Sequence, residues 1–421
     1  MTATRPNRPE YAGMNRLAFT LLWIFIFCVP WEEEVAIAGS VAMSHFVGAA
    51  SVIAGVLACL AGGRMRRPGS LHYLLAGFVA WSAFTYYWSV APDLTLVRVT
   101  SYVQLLLMVW LIWEFAPTEE RQTSLLAAYV LGTYVSALSI IYSFVTGRGD
   151  NLGLSEGRYT APGFNENELG IILALGLVMS CYLLAKNKGP RAIWFIHVPT
   201  CAIAICLTGS RGSFISAAIA LLMFPLSFGS FSRAQKKFGA LALVVVLASG
   251  IAIVPPATWD RIGSIEDEIS GGTLTKRTYI WAAGMDVFRE HPLLGVGAGA
   301  FGASVYNKLD VPYVAHNSYL SVLVEMGLIG ELLFMALLAA LVRAAIVLPK
   351  LESRAWTLLL LTWAVAVLSV TWEHRKPTWF LFGMLMAQAA VMRDSRSVAA
   401  KPVPGARVAL KYPAEGAGMP V

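Results

Sequence analysis

The sequence predicts an all-α polytopic membrane protein with about 12 transmembrane helices. The first observation is composition, since 57% of the 421 residues are hydrophobic and only 14% are charged. Soluble domains carry about 25% charged residues, so this chain cannot cover its surface with charge in water. The second observation is that the apolar residues form runs of about 18–23, the length that spans a hydrocarbon core of about 30 Å. Together these exclude a soluble enzyme.

The apolar runs divide the chain into one transmembrane domain over residues 1–392 and a tail over 393–421. The tail is rich in Pro, Gly and Ala, which predicts a disordered cytoplasmic segment. One long loop, at 255–317, interrupts the domain and is expected to be partly helical. The predicted spans lie at about 17–30, 41–61, 71–90, 94–115, 124–146, 168–185, 192–208, 213–230, 238–254, 318–342, 355–372 and 378–392.

The basic residues predict which way the spans run. Lysines and arginines cluster at both termini and in alternate short loops, around residues 64–67, 186–191, 233–237 and 343–354. The positive-inside rule therefore places both termini in the cytoplasm. The net charge of +7 reflects these loops, so it indicates no nucleic acid partner. The first span reads as an uncleaved anchor, because Pro30-Trp31-Glu32 after it is a poor cleavage site.

Four ionisable residues are predicted at the outer face: Arg98, Arg211, Arg277 and His316. Ionisable groups at a membrane are costly and need a partner or a function. Arg211 lies in a tight turn between two spans, and Arg277 opens a predicted helix over 278–290 in the long loop. The apolar stripe of that helix is predicted to be Trp281, Met285 and Phe288. Because guanidinium groups pair bidentately with phosphate oxygens, several arginines at one face favour an anionic ligand.

Simpler readings exist for these residues. Arg98 and Arg211 at helix ends are also consistent with snorkelling to lipid phosphates, and His316 with a satisfied helix-start residue. Residues 373–375, Glu-His-Arg, form a rival polar cluster at the same face. Two motifs resemble cofactor sites but are not interpreted as such. The glycine pattern at 297–302 matches a dinucleotide-binding motif, but no strand precedes it. The consecutive glutamates at 32–34 cannot converge on one metal ion from a helix, so they are interpreted as a solvated acidic loop.

Three sequence pieces, in this order, resemble the O-antigen ligase and O-antigen polymerase superfamily of bacterial inner-membrane glycosyltransferases. The first is the Gly-Ser-Arg-Gly turn at 209–212. The second is Arg-Thr-Tyr-Ile-Trp at 277–281, followed by His-Pro-Leu-Leu-Gly-Val-Gly at 291–297. The third is His-Asn-Ser-Tyr-Leu at 316–320, which leads to Glu-Met-Gly-Leu-Ile-Gly at 325–330. Gly-Phe-Asn-Glu-Asn at 163–167 is a weaker match to a further motif of the family, with Glu166 in place of the family's proline.

The resemblance implies transfer of a glycan from an undecaprenyl-diphosphate carrier at the periplasmic face, without metal, nucleotide sugar or other cofactor. It implies that Arg211 and Arg277 bind the diphosphate, with Arg98 and Arg158 as further candidates. His316 is expected to be the general base of an inverting reaction, since an imidazole titrates in the right range. Asn317 is expected to orient substrate.

The branch of the superfamily decides the acceptor. The ligase branch, which attaches O-antigen to lipid A-core, is favoured by twelve spans and a single long loop after the ninth. The polymerase branch, which joins carrier-linked repeat units, shares the chemistry and is the alternative, and a third branch glycosylates proteins. A lipid-linked glycan transporter is the rival from a different class, although the sequence shows no paired broken helices. Membrane lipids are the surroundings in every case.

Overall fold

The computed structural model describes residues 9–34, 36–37, 41–147, 158–222, 256–263 and 277–399, with the isolated positions 233, 236 and 237. Over these residues the protein is helical apart from one antiparallel pair of two-residue strands. Six of the described helices are long and apolar enough to cross a membrane. The predicted all-α membrane class is therefore confirmed, and the count of twelve spans stays a prediction.

The described elements are numbered here in chain order. The strands are β1 (Ala36–Ile37) and β2 (Val41–Ala42). The helices are α1 (Pro9–Cys28), α2 (Met43–Gly62), α3 (Ser70–Phe84), α4 (Pro92–Phe115), α5 (Glu119–Val145), α6 (Glu166–Ala185), α7 (Arg191–Leu207), α8 (Arg211–Leu221), α9 (Pro256–Gly263), α10 (Arg277–Glu290), α11 (Phe301–Leu309), α12 (Ser318–Ile346), α13 (Lys350–Ala366) and α14 (Lys376–Ala399).

The predicted spans agree with these helices at most positions. A helix covers all or part of each predicted span except 238–254, which lies outside the described residues, as does the second part of 213–230. The span predicted at 71–90 is shorter as a helix, because α3 ends at Phe84 and a 3₁₀ turn follows. At the other end of the chain α14 continues to Ala399, so the first residues of the predicted tail are helical.

Helix α6 is the centre of the bundle, with 89% of its apolar window buried, whereas α2 lies at the edge with 28%. Apolar residues surround α6 on all sides, as expected of a helix with no solvent face. Glycines let its neighbours approach closely. A Cβ at Gly170 would lie 2.1 Å from the hydroxyl of Ser213 on α8, and one at Gly176 would lie 2.7 Å from the hydroxyl of Thr133 on α5.

Helix α12 is broken at Gly327, whose backbone angles are φ 66° and ψ −171°. The glycine-rich segment 292–297 bridges the break with main-chain hydrogen bonds. The amide of Gly297 donates to Glu325 (2.8 Å), and the amide of Leu328 donates to Pro292 (2.9 Å). This segment is a closely packed turn that follows helix α10.

The helix predicted over 278–290 in the long loop is present as α10. Its fully buried face is formed by Ile280, Ala283, Gly284 and Val287. The predicted apolar stripe of Trp281, Met285 and Phe288 flanks that face and is partly buried. The stripe was therefore displaced by about one residue, because α10 packs against both α11 and α12 and buries a wider surface than a single stripe.

Two helix glycines should respond oppositely to alanine. A Cβ at Gly132 on α5 would lie 2.3 Å from the carbonyl oxygen of Phe27, whereas one at Gly77 on α3 meets nothing within 4 Å. We expect Gly132→Ala to destabilise the protein by about 1–3 kcal/mol through overpacking. Gly77→Ala should stabilise it by up to about 1 kcal/mol through helix propensity. Thermal unfolding of the purified variants measures both, and equal shifts would contradict this packing.

Candidate functional site

One connecting segment, residues 367–375 between α13 and α14, contacts the N-termini of the helices that carry the candidate residues. The amide of Ser318 donates to Val367 (2.9 Å), and the hydroxyl of Ser318 accepts from the amide of Trp372 (2.7 Å). Gly212 approaches the same segment so closely that a Cβ there would lie 2.6 Å from the Ser369 hydroxyl. Helices α8 and α12 therefore begin at one end of the bundle, called here the site end.

Arg211 is the first residue of α8 and follows a tight turn. The turn needs Gly209 because the backbone there is left-handed, with φ 59°. Ser210 caps α8 by accepting from the amide of Ser213, and its hydroxyl donates to Oδ1 of Asn167 on α6 (2.8 Å). The α8 start is thus held to α6, and its free N–H groups add to the positive charge of Arg211.

Arg158 braces this turn from the side. Its Nε donates to the carbonyl of Thr208 (3.2 Å), its Nη2 donates to Oδ1 of Asn167 (3.3 Å), and its guanidinium forms an ion pair with Glu166. Glu166, the residue that departs from the family's proline, therefore supplies the partner of Arg158. Arg158 therefore stabilises the turn at 209–212, called here the arginine turn. Its predicted contact with substrate stays a prediction.

His316 stands immediately before α12 in a fixed backbone conformation. Its φ of 49° is left-handed, which is uncommon for a residue with a side chain. Asn317 follows as the N-cap, with Oδ1 accepting from the amide of Leu320 (3.1 Å). The indole of Trp281 on α10 donates to the carbonyl of Ala315 (2.9 Å), so the long loop is attached next to the histidine.

Arg277 is close enough to His316 and to Arg211 to interact electrostatically with each of them. Burial lowers the pKa of the His316 imidazole, and the positive charge of Arg277 lowers it further. Burial also lowers the pKa of Arg277, with a second contribution from Arg211. All three side chains are half-buried, and no ion pair within the described ranges engages Arg277 or His316. Two positive charges therefore lie near a neutral imidazole, and the three residues are called here the arginine recess.

Arg98 lies in a different place from the arginine recess. Its guanidinium is 2.7 Å from Glu373 and 3.5 Å from Glu325, and only 15% of the side chain is exposed. The snorkelling alternative for Arg98 is wrong, because the side chain points into the protein. Its predicted role in binding substrate stays untested, but the contacts are those of a buried ion-pair network, called here the Arg98 network.

The rival cluster at 373–375 and the glutamates at 32–34 also form ion pairs. Arg375 pairs with Glu33 (3.0 Å) and Glu168 (2.9 Å), and Lys376 pairs with Glu32 (2.5 Å). The expectation of a solvated acidic loop is therefore wrong for Glu32 and Glu33. They pair with residues more than 300 positions away in the chain, which local spacing cannot show.

Glu325 had no role predicted from the sequence, whereas Glu373 belongs to the rival cluster at 373–375. Glu325 accepts from the amide of Gly299 (2.6 Å) and from the hydroxyl of Ser321 (3.2 Å), besides its pairing with Arg98. One signal was present, since a carboxylate inside an apolar span is costly unless it is paired. The pairing of Glu373 with Arg98 carried no such local signal.

Comparison with known proteins agrees with the sequence resemblance. A family model described as O-Antigen ligase matches residues 196–335. The exopolysaccharide production protein ExoQ of Rhizobium meliloti (strain 1021) is 23% identical over 284 residues. Both matches support the resemblance to the O-antigen ligase and polymerase superfamily over part of the chain. The alignment covers 61% of each chain, so this protein spans about three fifths of that relative's length. The part that matches the superfamily model includes Arg211, Arg277 and His316, whereas Arg98 and Arg158 precede it.

Removing Arg98 should destabilise the fold. Arg98→Met keeps a long apolar side chain but leaves Glu325 and Glu373 buried without their cation, which costs about 3–5 kcal/mol. The control is Arg289→Met, because the ion pair of Arg289 with Asp286 is exposed and should contribute little. The measurement is thermal unfolding of the purified variants. Unchanged stability of Arg98→Met, with weakened donor binding, would instead restore Arg98 to the substrate site.

Proposed function

We propose that this protein is a membrane glycosyltransferase that moves a glycan from undecaprenyl diphosphate to an acceptor hydroxyl at the periplasmic face of the bacterial inner membrane. The observation that carries the proposal is the meeting of Arg211, Arg277 and His316 at the site end. The superfamily supports lipid-linked glycans as the class of substrate. The proposed orientation, with both termini in the cytoplasm, is the one that the basic loops predict.

The arginines stabilise the leaving group in this proposal. When the glycosidic bond breaks, the electron pair stays on the diphosphate, whose growing charge needs preorganised positive groups. Arg211 and the N-terminus of α8 provide a fixed cationic surface. Arg277 comes from the long loop on α10, so its approach completes the recess when the donor is bound. Like charges at Arg211 and Arg277 repel one another, and a bound diphosphate relieves that repulsion.

His316 is the general base. The acceptor hydroxyl attacks the anomeric carbon from the side opposite the diphosphate, gives its proton to the imidazole and inverts the configuration. The lowered pKa keeps the imidazole neutral at pH 7, as a base requires. Asn317 holds the geometry through its cap on α12, and its amide nitrogen is available to orient the substrate. No step in this scheme uses a metal or other cofactor.

The acceptor separates two candidate reactions. Transfer of O-antigen to lipid A-core is the ligase reaction, favoured by the name of the matching family model. Polymerisation of carrier-linked repeat units is the second candidate, and the exopolysaccharide role in the name of ExoQ favours it. Arg211, Arg277 and His316 would have the same roles in both reactions, because donor and leaving group are the same.

The deciding experiment is transfer by purified protein in vesicles. One reaction receives undecaprenyl-diphosphate-linked glycan with lipid A-core, and the other receives the donor alone. Product that forms only with lipid A-core supports the ligase, and longer carrier-linked chains from the donor alone support the polymerase. Absence of product in both reactions, with movement of the donor between leaflets, would contradict the proposal and favour a transporter.

The pH dependence of transfer should follow His316. We expect kcat to be constant near neutral pH and to fall as the pH drops through the lowered pKa of the imidazole, because the protonated form cannot accept a proton. Arg277→Gln removes a positive charge that disfavours the protonated form, so the fall should move to higher pH. His316→Ala should lose about 100-fold or more of the rate and still bind donor. An unshifted profile in Arg277→Gln, or near-normal transfer by His316→Ala, would contradict the assignment.

A further inference from the structure

A cavity lies between α2 and α4, and its lining residues do not include the arginine recess. Its volume is about 740 Å³, and Arg211, Arg277 and His316 are not among its lining residues. Pockets of about 300–1,000 Å³ are of the size that holds an organic ligand. The deeper wall, called here the apolar throat, is formed by Val52, Ile53, Leu105, Leu107, Met108 and Leu111.

The apolar throat runs along the helices and opens sideways. The whole cavity extends from Ser44 to Ile53 on α2 and from Ser101 to Leu111 on α4, which is about 14 Å and about 15 Å at the helical rise of 1.5 Å per residue. That depth is half of a hydrocarbon core of about 30 Å. Ile53 is 61% exposed and Leu107 is 37% exposed, so a chain in the throat would have one side against protein and the other against lipid.

The mouth of the cavity at the site end is polar. Glu32, Glu33, His45, Arg375 and Lys376 line it, with carboxylates and cations already paired across it. His45 is exposed at this mouth. A charged mouth above an apolar throat about one leaflet deep is complementary to an amphiphilic lipid, which has a polar head and an apolar tail.

The mouth is connected to the arginine turn through the first turn of α6. Nη2 of Arg375 is 2.9 Å from Oε2 of Glu168. The preceding residue, Asn167, accepts from the hydroxyl of Ser210 (2.8 Å), and Ser210 is adjacent to Arg211 in the chain. A lipid whose tail lies in the throat therefore has its head group next to the elements that hold Arg211.

We propose that the cavity between α2 and α4 binds the polyprenyl chain of the lipid-linked donor. This inference rests on the proposed function, because it assigns the tail of the same substrate whose diphosphate meets the arginines. An ordinary phospholipid has a similar tail but no diphosphate to reach the arginine turn. Tail binding in the throat then delivers the donor along the membrane and sets the position of its head group.

Photo-crosslinking tests the occupant without requiring transfer. The full-length protein in phosphatidylglycerol vesicles receives undecaprenyl diphosphate with a photoactivatable group in its prenyl chain, and labelled peptides are identified by mass spectrometry. A parallel sample carries the same group on phosphatidylglycerol. We expect the prenyl probe to label α2 and α4 at the throat, and unlabelled undecaprenyl diphosphate to compete. Equal labelling by phosphatidylglycerol at saturating undecaprenyl diphosphate, or no prenyl labelling of the throat, would overturn the inference.

Filling the throat provides a matched pair of variants. Ala49 lines the cavity, whereas Ala61 is exposed on the same helix and does not line it. Ala49→Phe should lower throat labelling and raise the donor KM by about tenfold, a change that corresponds to about 1.4 kcal/mol. Ala61→Phe should change neither. If Ala49→Phe fails to fold, Ile53→Trp fills the same space from an exposed position.

The two proposals fail in different ways. Prenyl labelling of the throat, with no transfer to any acceptor, would sustain the lipid site and reject the glycosyltransferase. Transfer that proceeds normally in Ala49→Phe and Ile53→Trp, with no labelling of the throat, would sustain the enzyme and reject this site.

Discussion

The buried pairing of Arg98 with Glu325 and Glu373 is the constraint on which the site end depends. Three separate parts of the chain, α4, α12 and the segment 367–375, each contribute one charge to it. None of these charges is stable in the interior alone, so the three parts must keep their relative positions. Glu325 also binds the amide of Gly299, which extends the same constraint to the long loop.

The positions of the proposed catalytic groups follow from this frame. Segment 367–375 contacts the starts of α6, α8 and α12, so Arg211 and His316 stand on elements fixed by one common piece of backbone. Rigid placement suits a base and an anion-binding arginine, which must hold their geometry closely. Arg277 alone comes from the long loop, and its helix is attached through Trp281 to the backbone next to His316. Arg277 is therefore held beside the histidine by contacts within the long loop and with α12.

The sequence could predict what local pattern determines. Apolar runs located the helices, and arginines with a histidine at turns pointed to Arg211, Arg277 and His316, which the structure brings together. It could not predict the partners of Arg98, which lie 227 and 275 residues further along the chain. The cavity was equally hidden, because it exists only where α2 and α4 happen to be neighbours. Contacts between segments that are distant in the chain produce no local sequence pattern from which they could be predicted.

The Arg98 network also imposes an order on biogenesis. Arg98 leaves the ribosome 227 residues before Glu325, an interval of about 10–45 s at about 5–20 residues per second. During that interval α4 carries a cation whose partners have not yet been made, so a position at the membrane interface is cheaper for it than the interior. Arrival of α12 then allows α4 to settle to its full depth. Completion of the bundle is thus a late event that begins in the second half of synthesis.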